Sequence, residues 1–361
     1  MSGGVDSSVA AFLLKEQGYD CAGVTMKLFS NDDIGLDADD SCCSARDAED
    51  ARRVSCALGM AHFVFNMSRE FEEHVIDKFI AEYTAGRTPN PCIDCNRRVK
   101  FEKLLGHALA AGCDRIATGH YARVQPGPSG RYLLRKAADE SKDQSYVLYS
   151  MTQEALARTL FPLGELRKSQ VREIAELRGF RNASKQESQD ICFVPSGNYA
   201  DFIAMRTGRS FGGGNFLDES GNVIGVHKGA IRYTIGQRRG LGMGFSKRKF
   251  VVAKDCDRNT VTLGGKDSLY VKSLYADGIN LIATEAFSGH VRVTARVRYR
   301  QNEAPAIVEM TGDDIIRVEF ETPQPAVAPG QAVVLYDGDV VFGGGTIKET
   351  VPLSGKKITN L

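Results

Sequence analysis

The chain has 361 residues, 42% of them hydrophobic and 25% charged, with a net charge of +1. This ordinary globular composition predicts two or three domains, and its near-neutrality excludes a polyanion-binding charge spread over the whole chain. No run of about eighteen apolar residues occurs and the N-terminus does not read as a signal peptide, so no membrane partner is expected and the cytoplasm is the expected compartment. Nine cysteines are scattered through the chain without the density of a disulfide scaffold, so most read as buried thiols of a reducing compartment, the adjacent Cys42 and Cys43 among them.

The chain opens Met1-Ser2-Gly3-Gly4-Val5-Asp6-Ser7-Ser8 and runs into an amphipathic helix predicted over 9–17. Small residues ahead of a helix N-terminus leave backbone N–H groups unpaired and let an anion approach them, which makes a phosphate cradle. A Gly-Lys-Ser/Thr ending is missing, so ordinary γ-phosphoryl transfer is not expected. Such a loop belongs after a buried parallel strand; nothing precedes it here, and the first strand is expected to be missing.

Strand-like and helix-like runs then alternate: 20–28 as strand, 45–58 as helix, 62–66 as strand, 70–84 and 96–111 as helices, and 114–118 as strand. That alternation predicts an α/β fold with a doubly wound parallel sheet and ligands at the carboxyl ends of its strands. Met26-Lys27, Cys92 to Cys95 and Gly119-His120 fall at those ends or in the loops beyond. From about Phe211 the chain turns Gly-rich with short alternating strands, predicting a central domain and then an antiparallel β-barrel or sandwich. The expected domains are 1–200, with a helical excursion over 160–182 packing on the central domain, then 201–270 and 271–361.

Two cysteines stand out. Cys95 follows Thr88-Pro89-Asn90-Pro91-Cys92-Ile93-Asp94 and precedes Arg97, Arg98 and Lys100. A thiol at a helix entry beside cations has a stabilised thiolate, and the polar flank argues against burial. Cys192 ends the polar run Ser184 to Ile191 and is expected at a strand edge, facing the same crevice. Two thiols over a nucleotide suggest sulfur transfer through persulfide and disulfide states. Between Glu219 and Asp255 no acidic residue occurs, while Lys228, Arg232, Arg238, Arg239, Lys247, Arg248, Lys249 and Lys254 supply positive charge. Arg292, Arg296, Arg298 and Arg300 fall on one face of a period-two strand opposite an apolar face. Both stretches suit phosphate-backbone contacts.

Ser2 to Ser8 resembles the pyrophosphate-binding loop of ATP pyrophosphatases. With Gly86 to Pro91, Cys95-Asn96, Ala117 to Tyr121, Lys142 to Tyr146, Asp190 to Phe193, Thr234 to Leu241, Arg298 to Arg300 and Pro329 to Gln331, in order along the chain, it is similar to the bacterial tRNA-specific 2-thiouridylases. The resemblance implies ATP-dependent 2-thiolation of the wobble uridine of tRNAs for lysine, glutamate and glutamine, by adenylation of the uridine 2-oxygen and insertion of sulfur. It implies that Ser2, Gly3, Gly4, Val5, Asp6, Ser7, Ser8, Met26 and Gly119 bind ATP, with Mg2+. Cys192 then carries persulfide sulfur from a cysteine desulfurase or a sulfur-relay carrier, and Cys95 forms a disulfide with it as product leaves. Asn90, Pro91 and Cys92 meet the target base, and His120, Lys142, Asp143, Gln144, Arg298, Tyr299 and Gln331 touch tRNA.

Many relatives carry an aspartate, a proposed acid/base group, where this chain has Cys92. The resulting Cys92, Cys95 and Cys192 open a competing and less favoured reading, an iron-sulfur cluster on three thiolates; otherwise no metal ligands are expected. A monomer is expected. A synthetase that adenylates a substrate for attack by nitrogen, a nucleotide-gated RNA-binding protein without catalysis, and an inactive fragment are the rival readings.

Overall fold

His62–Asn66 (β2) pairs in parallel with Gly23–Lys27 (β1), Gly23 opposite His62 and Lys27 opposite Asn66, and a second parallel pair joins Ile116–Ala117 to Thr159–Leu160. The computed structural model describes residues 1–34, 45–183, 185, 191–194 and 197–353. Cys42, Cys43, Ser184 and the run 186–190 lie outside the described residues. The chain divides into two compact units. The first comprises Met1–Ile76, Pro91–Gly197 and Asp339–Val341; the second comprises Asp77–Asn90, Asn198–Gly338 and the chain from Phe342 onward.

In the first unit, the helix Val5–Glu16 (α1) starts after Gly4, four residues earlier than periodicity alone suggests. It packs through Val5, Val9 and Phe12 against Val171, Ala175 and Phe180. The last three belong to or follow the helix Lys168–Leu177. The helix within the expected excursion over 160–182 packs on α1, with Val171 and Ala175 fully buried in the core that α1 shares. The backbone of Met1 lies beside β1, its amino group donating to Val24 O and its carbonyl accepting from Thr25 Oγ1 at 2.8 Å.

Two helical stretches contain π-turns, Glu72–Ile76 and Cys95–Leu104. A π-turn bonds residues five apart, so it brings them to one side of the helix and is a recurrent device at functional sites. The predicted helix over 96–111 begins earlier, at Pro91, whose missing N–H costs nothing at a first helical position. Cys92 to Cys95 are therefore helical and do not form a loop.

In the second unit, a four-stranded sheet in the order Val223–His227, Gly214–Leu217, Thr260–Gly264, Phe250–Asp255 encloses Phe216, Tyr233, Val251, Val261 and Leu263. Six strands follow: Tyr270–Leu281, Val291–Arg296, Ala304–Gly312, Ile315–Pro325, Ala332–Asp337 and Val340–Pro352. The first pairs with both Ile315–Pro325 and Val340–Pro352, closing an antiparallel barrel with no free edge. Period-two alternation sends Val293 and Ala295, Ala306 and Val308, Ile316, Val318 and Phe320 inward. Each valine, isoleucine and phenylalanine among them contributes about 1.5–3 kcal/mol by leaving water. The expected α/β domain, central domain and C-terminal barrel are all present.

Candidate functional site: a phosphate loop and a thiol-bearing helix

Gly4 precedes α1 without a side-chain cap, so the first amides of a twelve-residue helix face outward for an anion. Gly3 takes a left-handed φ of +67°, and a Cβ there would lie 2.4 Å from the Asp47 carbonyl oxygen. Ser7 Oγ and Ser8 Oγ each donate to Gly4 O at 3.0 Å, holding the turn. Ser2 N donates to Ser7 Oγ at 3.2 Å. Gly119 closes the other side. A Cβ on it would stand 2.8 Å from the Asp6 carbonyl carbon and 2.9 Å from Ser7 N, so glycine alone lets these two segments meet backbone to backbone. Met26 is half-buried, one residue from the carboxyl end of β1, where a doubly wound fold binds ligands.

Asp6 does not project freely from the loop. Lys168 Nζ donates to its two carboxylate oxygens at 2.7 and 2.8 Å, and Tyr121 Oη to Oδ1 at 2.8 Å. Asn182 Nδ2 donates to Gly3 O and to Ser8 Oγ, both at 2.9 Å. Lys185 Nζ reaches Asp47 Oδ1, Asp50 Oδ2 at 3.3 Å and Gly3 O at 3.4 Å. Burial opposes its charge, but the two carboxylates outweigh that and raise its pKa. Local sequence reasoning missed Lys168, Asn182 and Lys185 as members of the site. They lie more than 150 residues from the loop, and no local motif announces them.

Cys95 begins the π-helical stretch after a helix that starts at Pro91, and it is buried. Burial pushes its thiol up to about 11, with Lys100 pulling the other way. This corrects the expectation of an accessible, stabilised thiolate at a helix entry. Of the three flanking cations, Lys100 is the one whose charge acts on it, five residues along the π-turn. Lys100 Nζ bonds Asn96 Oδ1 at 2.9 Å, and Asn96 Nδ2 is fixed on Val147 O at 3.0 Å. The same ammonium bears on Cys92, His120 and the Met1 amino group, which burial lowers to about 5.

Cys92 is open to solvent yet flanked by protein, and its thiol is raised. His120 meets Phe101 at a tilt and Phe161 edge-on, with ring centroids 5.9 and 6.0 Å away, and Thr118 Oγ1 lies 2.8 Å from its Nδ1. Burial holds its pKa well below the usual range, so it is a neutral imidazole and offers no charge to a phosphate. Cys192 is half-buried in a turn over Ile191 to Val194, not at a strand edge. The turn is pinned by Phe193, fully buried against Phe71 at 5.6 Å.

Several expected RNA contacts are engaged inside the fold. Asp143 is buried and accepts from Ala137 N, Ser145 N and Ser145 Oγ. Gln144 Oε1 accepts from Tyr121 N at 2.9 Å, while Lys142 stays half-exposed. In the second unit, Arg298 donates to Ile235 O and Ala326 O, and Gln331 Nε2 to Thr88 O at 2.7 Å, fixing the loop that carries Asn90. The strand of arginines ends at Arg296, which pairs with Glu303, so four arginines do not stand in register; Arg292 and Tyr299 remain exposed. Lys254 is buried and leaves the basic stretch, and Arg232 pairs with Asp201. Arg238, Lys247, Arg248 and Lys249 surround an open hollow of about 460 Å³. Among the described residues no group of three His, Cys, Asp or Glu gathers to hold a metal.

An anion-receiving helix start beside parallel strands, sealed by backbone-to-backbone contact at Gly119, defines a nucleotide-binding α/β domain. Residues 1–196 match the family described as tRNA methyl transferase HUP domain, 200–265 its PRC-barrel domain, and 271–347 the aminomethyltransferase beta-barrel domain. Curated relatives named tRNA-specific 2-thiouridylase MnmA align almost end to end. That of Moorella thermoacetica is 51% identical over 98% of this chain and 99% of its own. That of Lachnoclostridium phytofermentans is 49% identical over 96% and 98%, and that of Clostridioides difficile 46% over 97% of each. The chain belongs to the tRNA-specific 2-thiouridylase family.

Proposed function

We propose that this chain is a tRNA-uridine 2-sulfurtransferase that uses ATP to thiolate the wobble uridine of tRNAs for lysine, glutamate and glutamine. The phosphate loop carries the reading: its unpaired amides and the close approach of Gly119 fit the pyrophosphate end of ATP. The 2-oxygen of the uridine attacks the α-phosphorus and pyrophosphate leaves. This makes AMP the leaving group at C2, where oxygen alone would leave poorly. ATP carries Mg2+; Asp6 is already bonded to Lys168 and Tyr121, so no coordination is assigned to it.

Sulfur arrives as a persulfide on Cys192 from a cysteine desulfurase or a relay carrier. Its terminal sulfur attacks C2 and AMP departs. The Cys95 thiolate then attacks the Cys192 sulfur, releasing 2-thiouridine and leaving a disulfide that an external dithiol reduces. The Cys95 proton must go first, and Lys100 is the charge that favours its loss. No step is routed through an iron-sulfur cluster. The uridine is extruded from its stack to react. Arg238, Lys247, Arg248 and Lys249 supply salt-dependent backbone contacts. The protein works as a monomer in the cytoplasm.

The test is a single turnover with persulfide-loaded protein, ATP and unmodified tRNA, measuring AMP and 2-thiouridine. Equimolar formation of both is expected, with Cys192→Ser releasing pyrophosphate and leaving the uridine adenylated, with neither AMP nor thiouridine formed. Tight tRNA binding without AMP would replace this reading with a non-catalytic RNA binder.

A further inference from the structure

A trans peptide points its C=O and N–H in opposite directions. Gly3 O and Gly4 N–H belong to one such peptide, which sits at the mouth of α1 where the phosphate loop receives its anion. Gly3 O is held from behind by two side chains of one segment, Asn182 Nδ2 at 2.9 Å and Lys185 Nζ at 3.4 Å. With the carbonyl fixed, the Gly4 amide is aimed away from Asn182.

We infer that Asn182 and Lys185 are positioning residues that lock the Gly3–Gly4 peptide in its anion-receiving orientation, a role that rests on the reading of this loop as the ATP pyrophosphate site. The left-handed Gly3 needs such a lock. Glycine populates positive and negative φ about equally, so without tethers the peptide is free to flip and present a carbonyl to the phosphate.

The two tethers are built differently. Asn182 is 5% exposed, and its second Nδ2 bond, to Ser8 Oγ, ties the carbonyl to α1 itself. Its Oδ1 is buried with no hydrogen-bond partner, so the amide is oriented wholly by what it donates. Lys185 is itself held by Asp47 and Asp50, and Asp47 O is the atom that a Cβ on Gly3 would strike. The Asp47 backbone therefore crowds Gly3, while the Asp47 side chain holds the Lys185 ammonium that tethers the Gly3 carbonyl. The same two tethers open the stretch of chain that ends at Cys192, fixing its near end to the phosphate loop.

Binding of inorganic pyrophosphate and of adenosine to the full-length protein distinguishes this role from general support. Asn182→Ala and Lys185→Met are each expected to weaken pyrophosphate about tenfold while leaving adenosine, which does not use the Gly4 amide, within twofold of the wild type. Lys185→Arg, which keeps a donor, is expected to restore pyrophosphate binding. Equal losses for both ligands in both variants, or unchanged pyrophosphate binding in both, would overturn the inference. If Asn182→Ala fails to fold, the half-exposed Lys185 pair decides alone. If the wild-type protein binds no pyrophosphate at all, the phosphate-site reading falls before the positioning of Gly4 comes into question.

Discussion

Replacing Lys254 by methionine should stabilise the second unit. Lys254 is 3% exposed at the end of the strand Phe250–Asp255, and its Nζ has no hydrogen-bond partner. Its ammonium sits 5.6 Å above the Tyr83 ring, a cation–π contact that offsets part of the burial. Burial lowers its pKa to about 8, with Cys256 opposing. At about 1.4 kcal/mol per pH unit, displacement from the ordinary 10.5 means that holding the charge costs the fold about 3 kcal/mol at neutral pH. Methionine has a similar length and no charge, and it forfeits a cation–π contact worth about 1 kcal/mol. The expected net gain is about 2 kcal/mol.

The sign with pH follows from the same displacement. Between the folded and unfolded pKa values the unfolded chain holds the proton and the native one does not, so wild-type stability rises with pH there. Below about pH 8 both states are charged and the penalty is complete; above about 10.5 both are neutral and it is gone. Tyr83, Tyr199 and Cys256 face the same space with raised pKa values, but they are common to both proteins. Hydrogen exchange of peptides covering 250–264 across a urea series, at neutral and alkaline pH, reads the difference locally. A variant less stable than wild type at neutral pH, or an advantage that does not shrink as pH rises, would refute the reasoning.

Two further outcomes are expected. With a thiol near 11, Cys95 should be alkylated by iodoacetamide at least about a hundredfold more slowly than the exposed Cys113 near neutral pH; equal rates by peptide mass spectrometry would mean that its burial is misjudged. Gly119→Ala should weaken ATP binding at least about tenfold, because its methyl meets the Asp6 and Ser7 backbone and no flexible side chain can give way; calorimetric titration showing wild-type affinity would refute the close approach.

The parts of the site legible in sequence are those whose chemistry is local. A run of small residues before a helix makes unpaired amides wherever it folds, and Met26 and Gly119 follow from strand ends in an alternating pattern. Cys95 and Cys192 were found as thiols, but their environments were not. Cationic neighbours in sequence suggested a reactive Cys95, whereas the fold buries it, and of those cations it is Lys100 that acts on it. Asp143, Arg298 and Gln331 look like polar surface residues until their partners are known. Each instead satisfies backbone groups that would otherwise be stranded.

The sequence by itself determined the anion-binding helix start, the alternating α/β domain and the barrel. Hydrophobic periods of 3.6 and 2, and backbone freedom at glycine, are properties of neighbouring residues. The tertiary structure alone decided which distant side chains complete the loop: Lys168 on Asp6, and Asn182 and Lys185 on Gly3. It also decided which charges are withdrawn from water, as at Lys254. Burial and pairing depend on residues far apart in the chain, and no local pattern encodes who those partners are.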